Sequence, residues 1–269
     1  MIGAVDPRSS SVVVFELSAS IAYLFSEAGA DLAARVALAA DCGIRKVEAF
    51  TISEPEVRQL APALAQHGVE LWTVVADPRT RLVDPQTHSG FRASFRRTAE
   101  HAATLGCRRI VVGSGPAVPY QKRAAQLATV TAAIAGIVDT ATEFDMTVLI
   151  EAVNTRHDHP GVLFSMTDDA AAVVRGVGSP RVRLLYDLYH SITEGEDPAV
   201  VLPQVIDLVA HVQIADVPGR GEPGSGTLDW PQYLDLLRRT GYRGVLGVEC
   251  HPTKAPTAAA LAYIQRLCA

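Results

Sequence analysis

Short β-rich segments recur eight times along the chain and alternate with segments of helical periodicity. They lie at residues 12–18, 46–50, 70–76, 108–114, 146–152, 181–189, 211–216 and 244–250. Strands that alternate with helices of this length indicate βαβ units and a parallel sheet. Eight such units in 269 residues match the size of a (β/α)8 barrel. The pattern therefore predicts a single TIM barrel domain over residues 1–269.

Glycines support this reading because they end several helical segments just before the next strand. The examples are Gly43, Gly68, Gly106 and Gly241, and glycine in this position is a helix C-terminal signal. The alternative is a doubly wound open sheet. No GxGxxG motif follows the first strand, however, and "GSGPAV" after the fourth strand lacks a third glycine in place. The barrel is therefore favoured over the open sheet.

Composition narrows the range of partners and compartments. The chain has 29 acidic and 24 basic residues and a net charge of −5, which argues against a nucleic-acid partner. The N-terminus has no basic region typical of a signal peptide, and no stretch approaches the length of a membrane span. The cysteines form no CxxC pair, which argues for a reduced protein without a zinc-thiolate site; they are Cys42, Cys107, Cys250 and Cys268. We therefore expect a cytoplasmic protein that contacts neither membrane nor nucleic acid.

Metal-capable side chains end four consecutive β-rich segments in the second half of the chain. They are Glu151, Asp187, Gln213 and Glu249, and two histidines follow closely, His190 and His251. Strand ends converge at the mouth of a barrel, where active sites lie. Three carboxylates cannot all stay ionised close together without a cation or raised pKa values. Ligands that are all oxygens suit Mg²⁺ or Mn²⁺ better than zinc.

Each of these residues alone has an ordinary interpretation. A single glutamate at a strand end is more often a solvated rim residue or a salt-bridge partner, and a single histidine is more often a hydrogen-bonded structural group. The spacings of 36, 26 and 36 residues place each candidate ligand one βα unit from the next. This regular repetition favours a shared divalent-metal site.

The segments that carry these residues resemble the hydroxypyruvate isomerase family, within the xylose isomerase-like barrel superfamily. The similarity is most specific between about 146 and 252, in "LIEAVNTRHDHPG", "LLYDLYHSITEGED", "HVQIADVPGRGEPGSG" and "GYRGVLGVECHP". It is looser in the first half, in "SIAYLFSE", "CGIRKVEAF" and "FRASFRRTAEHAATLG". The family's function implies an isomerase that interconverts a small hydroxy-keto acid and its aldehyde isomer, of the hydroxypyruvate and tartronate semialdehyde type, through an enediolate.

The resemblance also implies roles for individual residues. The implied metal ligands are Glu151, Asp187, Gln213 and Glu249. Glu151 and Glu249 are implied to act as the acid/base pair, and His190 and Arg220 to contact substrate oxygens. Arg220 lies in the Gly/Pro-rich "PGRGEPGSG", and its guanidinium could bind a carboxylate with two hydrogen bonds. Arg156 could contact a substrate carboxylate or pair with an acidic residue of its own loop, and both readings stay open.

Several alternatives remain at this point. The family usually has proline where this chain has Ala152, "NTRHDHPG" carries one extra residue, and the third strand ends in "TVVADP" where a polar tip with Asn is usual. A 2-oxo-tetronate isomerase or a ketose 3-epimerase would use the same site, and a sugar-phosphate substrate stays open because the loops after strands seven and eight often bind phosphate.

Two more distant readings are disfavoured. An endonuclease IV-like protein needs a histidine-rich multi-zinc centre and a basic groove, whereas this chain is acidic and has 8 histidines in all. A non-catalytic sugar-binding barrel would be expected to lose one glutamate, and both are present. The expected partner is a small-molecule substrate, and a homo-oligomer is compatible with the sequence.

Overall fold

Eight parallel strands close into a barrel in the computed structural model, which describes residues 14–76 and 80–269. Each strand pairs with its neighbours in chain order, and β8 pairs with β1. The strands are β1 (Leu17–Ser20), β2 (Lys46–Glu48), β3 (Glu70–Val75), β4 (Arg109–Val112), β5 (Thr147–Glu151), β6 (Val182–Asp187), β7 (Val209–Ile214) and β8 (Leu246–Val248). This arrangement confirms the predicted (β/α)8 fold.

Helices follow the strands and form the outer layer. Among the described residues they are α1 (Leu32–Asp41), α2 (Glu54–His67), α3 (His88–Thr104), α4 (Arg123–Ala135), α5 (Val138–Glu143), α6 (Thr167–Val177), α7 (Leu188–Glu194), α8 (Pro198–Val205), α9 (Trp230–Arg239) and α10 (Thr257–Cys268). Two short 3₁₀ helices lie at Ser26–Ala28 and Pro85–Thr87. All four glycines predicted to end helices have positive φ angles, from 59° at Gly68 to 87° at Gly241.

All eight strands differ from their predicted segments by one or more residues at one end or both, and the first and the sixth are examples. The first segment was predicted at 12–18, of which residues 12 and 13 lie outside the described residues; the strand itself is Leu17–Ser20. The sixth was predicted to run to residue 189 but ends at Asp187. The Asp187 carboxylate accepts a hydrogen bond from His190 N and so begins α7 at this point.

Successive side chains along a strand point alternately outward, into the core between the barrel and the helices, and inward, into the barrel interior. In β5, Val148 and Ile150 belong to the large core that packs against the helices. Leu149 points the other way and forms a small interior cluster with Val111 and Leu185. Side chains two residues apart lie on the same face of a strand. Glu151 therefore shares the interior face with Leu149, one layer nearer the mouth.

One helical stretch corrects an expectation about membranes. By length and composition alone, Arg123–Glu143 could span a bilayer, with a mean hydropathy of 1.4, whereas we expected no such stretch. In the structure it is divided into α4 and α5, and Val130 and Ile134 are buried in the core. Core helices of soluble proteins are commonly as long and as apolar, so a single such helix is weak evidence for a membrane span. The cytoplasmic location stays a prediction.

Candidate active site

A cavity of about 340 Å³ opens at the carboxyl ends of the strands. Three of the four predicted metal ligands line it, namely Glu151, Gln213 and Glu249. The fourth, Asp187, is 4% exposed. Its carboxylate, that of Glu151 and a ring nitrogen of His190 all lie within 4.8 Å of one another. The predicted site residues therefore converge on one mouth of the barrel, although their side chains form two groups.

The first group is Glu151, Asp187 and His190. Burial raises the pKa of Asp187 above its ordinary value, and the nearby charge of Arg220 only partly offsets this effect. A buried carboxylate beside a second carboxylate is a position that a cation would stabilise. His190 is 2% exposed, and its Nε2 lies 3.9 Å from Asp187 Oδ2.

The second group is centred on Gln213 and Glu249. Gln213 Nε2 donates to Glu249 Oε2 at 3.0 Å and to Glu48 Oε2 at 2.7 Å. Both hydrogens of the Gln213 amide nitrogen are thus used. If the amide were flipped, its oxygen would face two carboxylates and no donor, which is unfavourable. Gln213 Oε1 is buried and has no hydrogen-bond partner among the described residues.

This unpartnered oxygen is the observation that tests whether the site fits a divalent cation. A buried carbonyl oxygen without a hydrogen bond is costly unless another group satisfies it. Carboxylates and an amide oxygen form the kind of donor set that hard cations such as Mg²⁺ or Mn²⁺ prefer. The donor set therefore fits a divalent cation.

Glu249 is also the counter-charge of a buried arginine. Arg220 Nη2 lies 2.5 Å from Glu249 Oε1, and the guanidinium lies 5.6 Å from the ring centre of Tyr23 and 5.3 Å from that of Tyr189. Burial would lower the pKa of Arg220, but the charges of Glu249 and then Asp187 hold it above its ordinary value. Arg220 Nε has no hydrogen-bond partner among the described residues.

The loop that carries Arg220 is fixed by its own contacts. Arg220 has a positive φ of 57°, and its carbonyl oxygen accepts from His251 N at 2.7 Å. Glu222 accepts from Thr253 N at 2.7 Å and from Thr253 Oγ1 at 2.9 Å, which links the loops after β7 and β8. These bonds hold the arginine over the cavity that it lines.

Arg156 lies elsewhere. It is exposed, and a Cβ atom at Gly195 would lie 2.7 Å from its Nη2, so the guanidinium is packed against the end of α7. Arg156 is not among the residues that line the cavity. Its predicted contact with substrate has no support from this arrangement and stays untested.

Glu48, at the end of β2, is a site residue that the sequence analysis missed. It is 2% exposed, and its carboxylate accepts hydrogen bonds from Ser18, from Thr73 Oγ1 at 3.2 Å, from His211 Nε2 at 2.8 Å and from Gln213. Burial would raise the pKa of Glu48, but the charge of His211 and these hydrogen bonds hold it below its ordinary value. The sequence signal was only indirect: His211 and Gln213 are two residues apart on β7 and share its interior face, so a polar partner inside the barrel was to be expected, but no local pattern identifies it as Glu48.

The opposite side of the cavity is mainly apolar. Side chains from the first half of the barrel line it, namely Phe50, Val75, Ala76, Leu82, Phe91, Val111 and Val112. Most of the ionisable side chains that line the cavity lie on the other side, in the half of the chain from β5 to β8.

Comparisons with known proteins identify the family of this fold. A sequence model of the family described as "Xylose isomerase-like TIM barrel" matches residues 36–267. The 2-oxo-tetronate isomerase of Cupriavidus necator is 34% identical over 239 residues, which cover 86% of this chain and 91% of that protein. The hydroxypyruvate isomerase of Escherichia coli K12 is 28% identical over 89% of this chain and 94% of its own.

Solved structures give the same fold. The AP endonuclease, family 2, from Brucella melitensis has a TM-score of 0.86 and 27% identity, and the match covers 94% of this chain and 98% of that one. The IOLI protein with a bound zinc atom has a TM-score of 0.76 and 18% identity, over 94% of this chain and 96% of its own. At that identity the second likeness shows the fold alone.

Proposed function

The chain belongs to the xylose isomerase-like TIM barrel family, and we propose that it is a metal-assisted isomerase of a short hydroxy-keto acid. Its motifs predicted this family, and the isomerase names of its relatives confirm the predicted enzyme class. The observation that carries the proposal is that Glu151, Gln213 and Glu249 line one small cavity, that the Asp187 carboxylate lies within 4.8 Å of that of Glu151, and that one buried amide oxygen has no partner among the described residues.

In this proposal Glu151 and Glu249 are the general base and general acid. Both line the cavity from rigid strand ends, which suits proton transfer because the transfer depends on accurate placement. One glutamate takes the proton from the carbon next to the carbonyl. The other returns a proton to the neighbouring carbon. Arg220 holds Glu249 in place and lowers the cost of its negative charge.

The reaction balances without a further reactant. For hydroxypyruvate, the C3–H electron pair becomes the C2–C3 double bond, and the carbonyl electrons move onto the C2 oxygen to give an enediolate. The C2 oxygen then gains a proton and the C3 hydroxyl loses its proton. The C2–C3 double-bond electrons take up a proton at C2 as the C3 oxygen forms the new carbonyl, which gives tartronate semialdehyde. The carbon proton lost at C3 is thus replaced at C2.

The metal would be held by Glu151, Asp187, Gln213 Oε1 and Glu249. When bound, Mg²⁺ or Mn²⁺ would offset the clustered carboxylate charges and favour negative charge on the substrate's oxygens. The identity of the ion remains part of the proposal, as do the roles of the four side chains.

The size and charge of the cavity support the proposed substrate class. A cavity of about 340 Å³ is at the small end of ligand sites. Arg220 retains an unpartnered Nε–H in addition to the Nη2 that meets Glu249. The guanidinium lines the cavity, and guanidinium groups suit planar carboxylates. These features support a short keto acid with its carboxylate toward Arg220.

A second candidate is a 2-oxo-tetronate isomerase. The relative with that name is 34% identical over most of both chains, and a four-carbon acid would use the same groups. The endonuclease alternative has less support despite the name of the Brucella protein. Its zinc chemistry would call for several histidine ligands, whereas the described residues that line the cavity include two histidines, His159 and His190.

A substrate panel tests the proposal. The protein is stripped with EDTA, reloaded with Mn²⁺ or Mg²⁺, and assayed with hydroxypyruvate, 2-oxo-tetronate and a neutral ketose, with product stereochemistry read by NMR. We expect metal-dependent isomerisation of one or both acids, with kcat/KM at least about 100-fold above that for the ketose. Efficient 3-epimerisation of the ketose with both acids inert would overturn the assignment.

A further inference from the structure

Asn154, in the loop after β5, contacts the ring of His190 in a way that determines which ring nitrogen carries a proton. Asn154 Nδ2 lies 2.7 Å from His190 Nδ1, and the backbone N–H of Asn154 donates to the same Nδ1 at 3.2 Å. Asn154 and His190 are both buried, at 0% and 2% exposure. Two N–H groups therefore point at one imidazole nitrogen.

The orientation of the Asn154 amide is fixed by other contacts. Its Oδ1 accepts from His157 N at 3.0 Å and from Asp158 N at 3.1 Å. Its Nδ2 also donates to Asp158 Oδ2 at 2.5 Å. Burial would raise the pKa of Asp158, but the hydrogen bonds from Asn154 and Tyr189 hold it below its ordinary value. Exchange of the amide oxygen and nitrogen would break all of these bonds, so Nδ2 is the atom that faces His190.

The state of the imidazole follows. A ring nitrogen that accepts from two N–H groups must present its lone pair, so the proton of the neutral ring is on Nε2. Nε2 is on the side of the metal-capable carboxylates, 3.9 Å from Asp187 Oδ2. A histidine can ligate a metal through Nε2 only if that nitrogen has no proton, and then Nδ1 normally donates to an acceptor. In this protein Nδ1 instead accepts from two N–H groups of Asn154, so it cannot be the donor that a metal-ligating histidine normally has there.

We propose that Asn154 is a positioning residue that keeps His190 in its Nε2–H form, so that His190 donates to a substrate oxygen and stays outside the metal's ligand set. The use of this proton on substrate rests on the proposed isomerase function. The position of the proton does not, because it follows from contacts within the protein.

The same asparagine also supports the second predicted substrate contact. Asp158 Oδ2 accepts from Tyr189 OH at 2.8 Å as well as from Asn154. The Tyr189 ring lies 5.3 Å from the guanidinium of Arg220. A connected path of hydrogen bonds and ring contacts therefore joins the two side chains, His190 and Arg220, that are proposed to hold substrate oxygens.

NMR of the metal-free wild-type protein tests the proton position without substrate. ¹⁵N labelling of histidine, with a His190→Gln variant for assignment, distinguishes protonated from unprotonated ring nitrogens. Asn154 is the sole asparagine of the sequence, so ¹⁵N labelling of asparagine side chains gives a single carboxamide signal. We expect His190 Nδ1 to be unprotonated and coupled to that carboxamide. A neutral ring with its proton on Nδ1 would overturn the proposal, even if the protein proved to be an isomerase.

Variants test the consequence. Asn154→Asp replaces the Nδ2 donor with an acceptor and should move the proton toward Nδ1, whereas Asn154→Ala removes the contact. We expect kcat to fall about 10–100-fold in both, the usual cost of losing an orienting partner. Mn²⁺ affinity measured by calorimetry should change less than about 3-fold in Asn154→Ala and in His190→Gln. A large loss of affinity in His190→Gln would make His190 a ligand and sink the proposal.

A control from the same loop separates positioning from general loosening. Thr155 Oγ1 donates to Glu194 Oε1 at 2.8 Å and does not contact His190. Thr155→Val removes this bond one residue away and should leave the His190 nitrogen signals and kcat near wild-type values. If Thr155→Val shifted the His190 signals as much as Asn154→Ala, the role of Asn154 would be no more than loop stability, and the proposal would fail.

Discussion

Replacing Glu249 with Gln should destabilise the metal-free protein, because this proposed catalytic carboxylate is also the counter-charge of a buried arginine. The Glu249 and Arg220 side chains are 10% and 6% exposed, with Oε1 and Nη2 2.5 Å apart. A glutamine would keep an oxygen to accept from Gln213 Nε2. Its other group would be an NH₂, which would face the guanidinium as donor against donor.

The expected loss in the free energy of unfolding depends on the burial of the Glu249–Arg220 pair and on the other carboxylates near Arg220. Removal of one partner of a buried ion pair costs about 3–5 kcal/mol, since the other charge stays buried without compensation. Asp187 and Glu151 also act on the Arg220 guanidinium through their charges, so we expect the lower end, about 3 kcal/mol. For a chain of this size that corresponds to a fall in Tm of roughly 6–12 °C.

A double-mutant cycle isolates the pair. Urea unfolding in EDTA is measured for wild type, Glu249→Gln, Arg220→Gln and the double variant, and we expect a coupling energy of at least about 1.5 kcal/mol. The control is the exposed pair Glu54–Arg58, with side chains 74% and 64% exposed, for which about 0.3–0.5 kcal/mol is expected. Coupling at Glu249–Arg220 no larger than that of the control pair would refute the reasoning.

Three further predictions follow from the same contacts. Asp187→Asn should raise the Tm of the metal-free protein at pH 7 and shrink the stabilisation by Mn²⁺. The raised pKa of Asp187 means that its ionisation costs stability, so calorimetric scans should show the Tm gain shrinking as the pH falls through that raised pKa and absent below about 4, the ordinary value for an aspartate. Glu48→Gln should weaken Mn²⁺ binding about 10–100-fold by calorimetry, because Gln213 loses the partner that orients its amide; unchanged affinity would contradict this. Gly247→Ala should lower the free energy of unfolding by at least about 2 kcal/mol in urea, since a Cβ there would lie 2.8 Å from His211 Nε2 and closer to Glu48; a neutral effect would show that this part of the barrel interior is not rigid.

The barrel and the convergence of its strand-end residues were predictable because both depend on short-range patterns. Strand runs, helix periodicity and terminal glycines repeat with the βα unit, and closure of the sheet brings equivalent strand ends to one mouth. The candidate ligands lie one unit apart, so no knowledge of side-chain contacts was needed to expect them together. The pairing of Glu249 with Arg220 was not predictable, because it depends on the left-handed backbone at Arg220.

Three side-chain positions could not be predicted from the sequence, namely those of Glu48, Asn154 and Arg156. The strand register between β2 and β3 shifts at Val47 and Glu48, and no local pattern reveals that shift. Asn154 acts across 36 residues through His190 Nδ1, so its role depends on the packing of the loop after β5 on α7. Arg156 stands two residues further along but is exposed, because the loop turns its side chain away from the cavity.

The central claim is that two glutamates move the carbon-bound proton, and hydrogen exchange in D₂O tests it most directly. Wild-type protein with Mn²⁺ should introduce deuterium from solvent at the reacting carbons of hydroxypyruvate or 2-oxo-tetronate while it isomerises the acid. Glu151→Gln and Glu249→Gln should each lower turnover about 10²–10⁴-fold while still binding substrate. The variant that lacks the first base should also lose exchange at the carbon next to the carbonyl. A double variant that isomerised and exchanged at near wild-type rates would contradict the account.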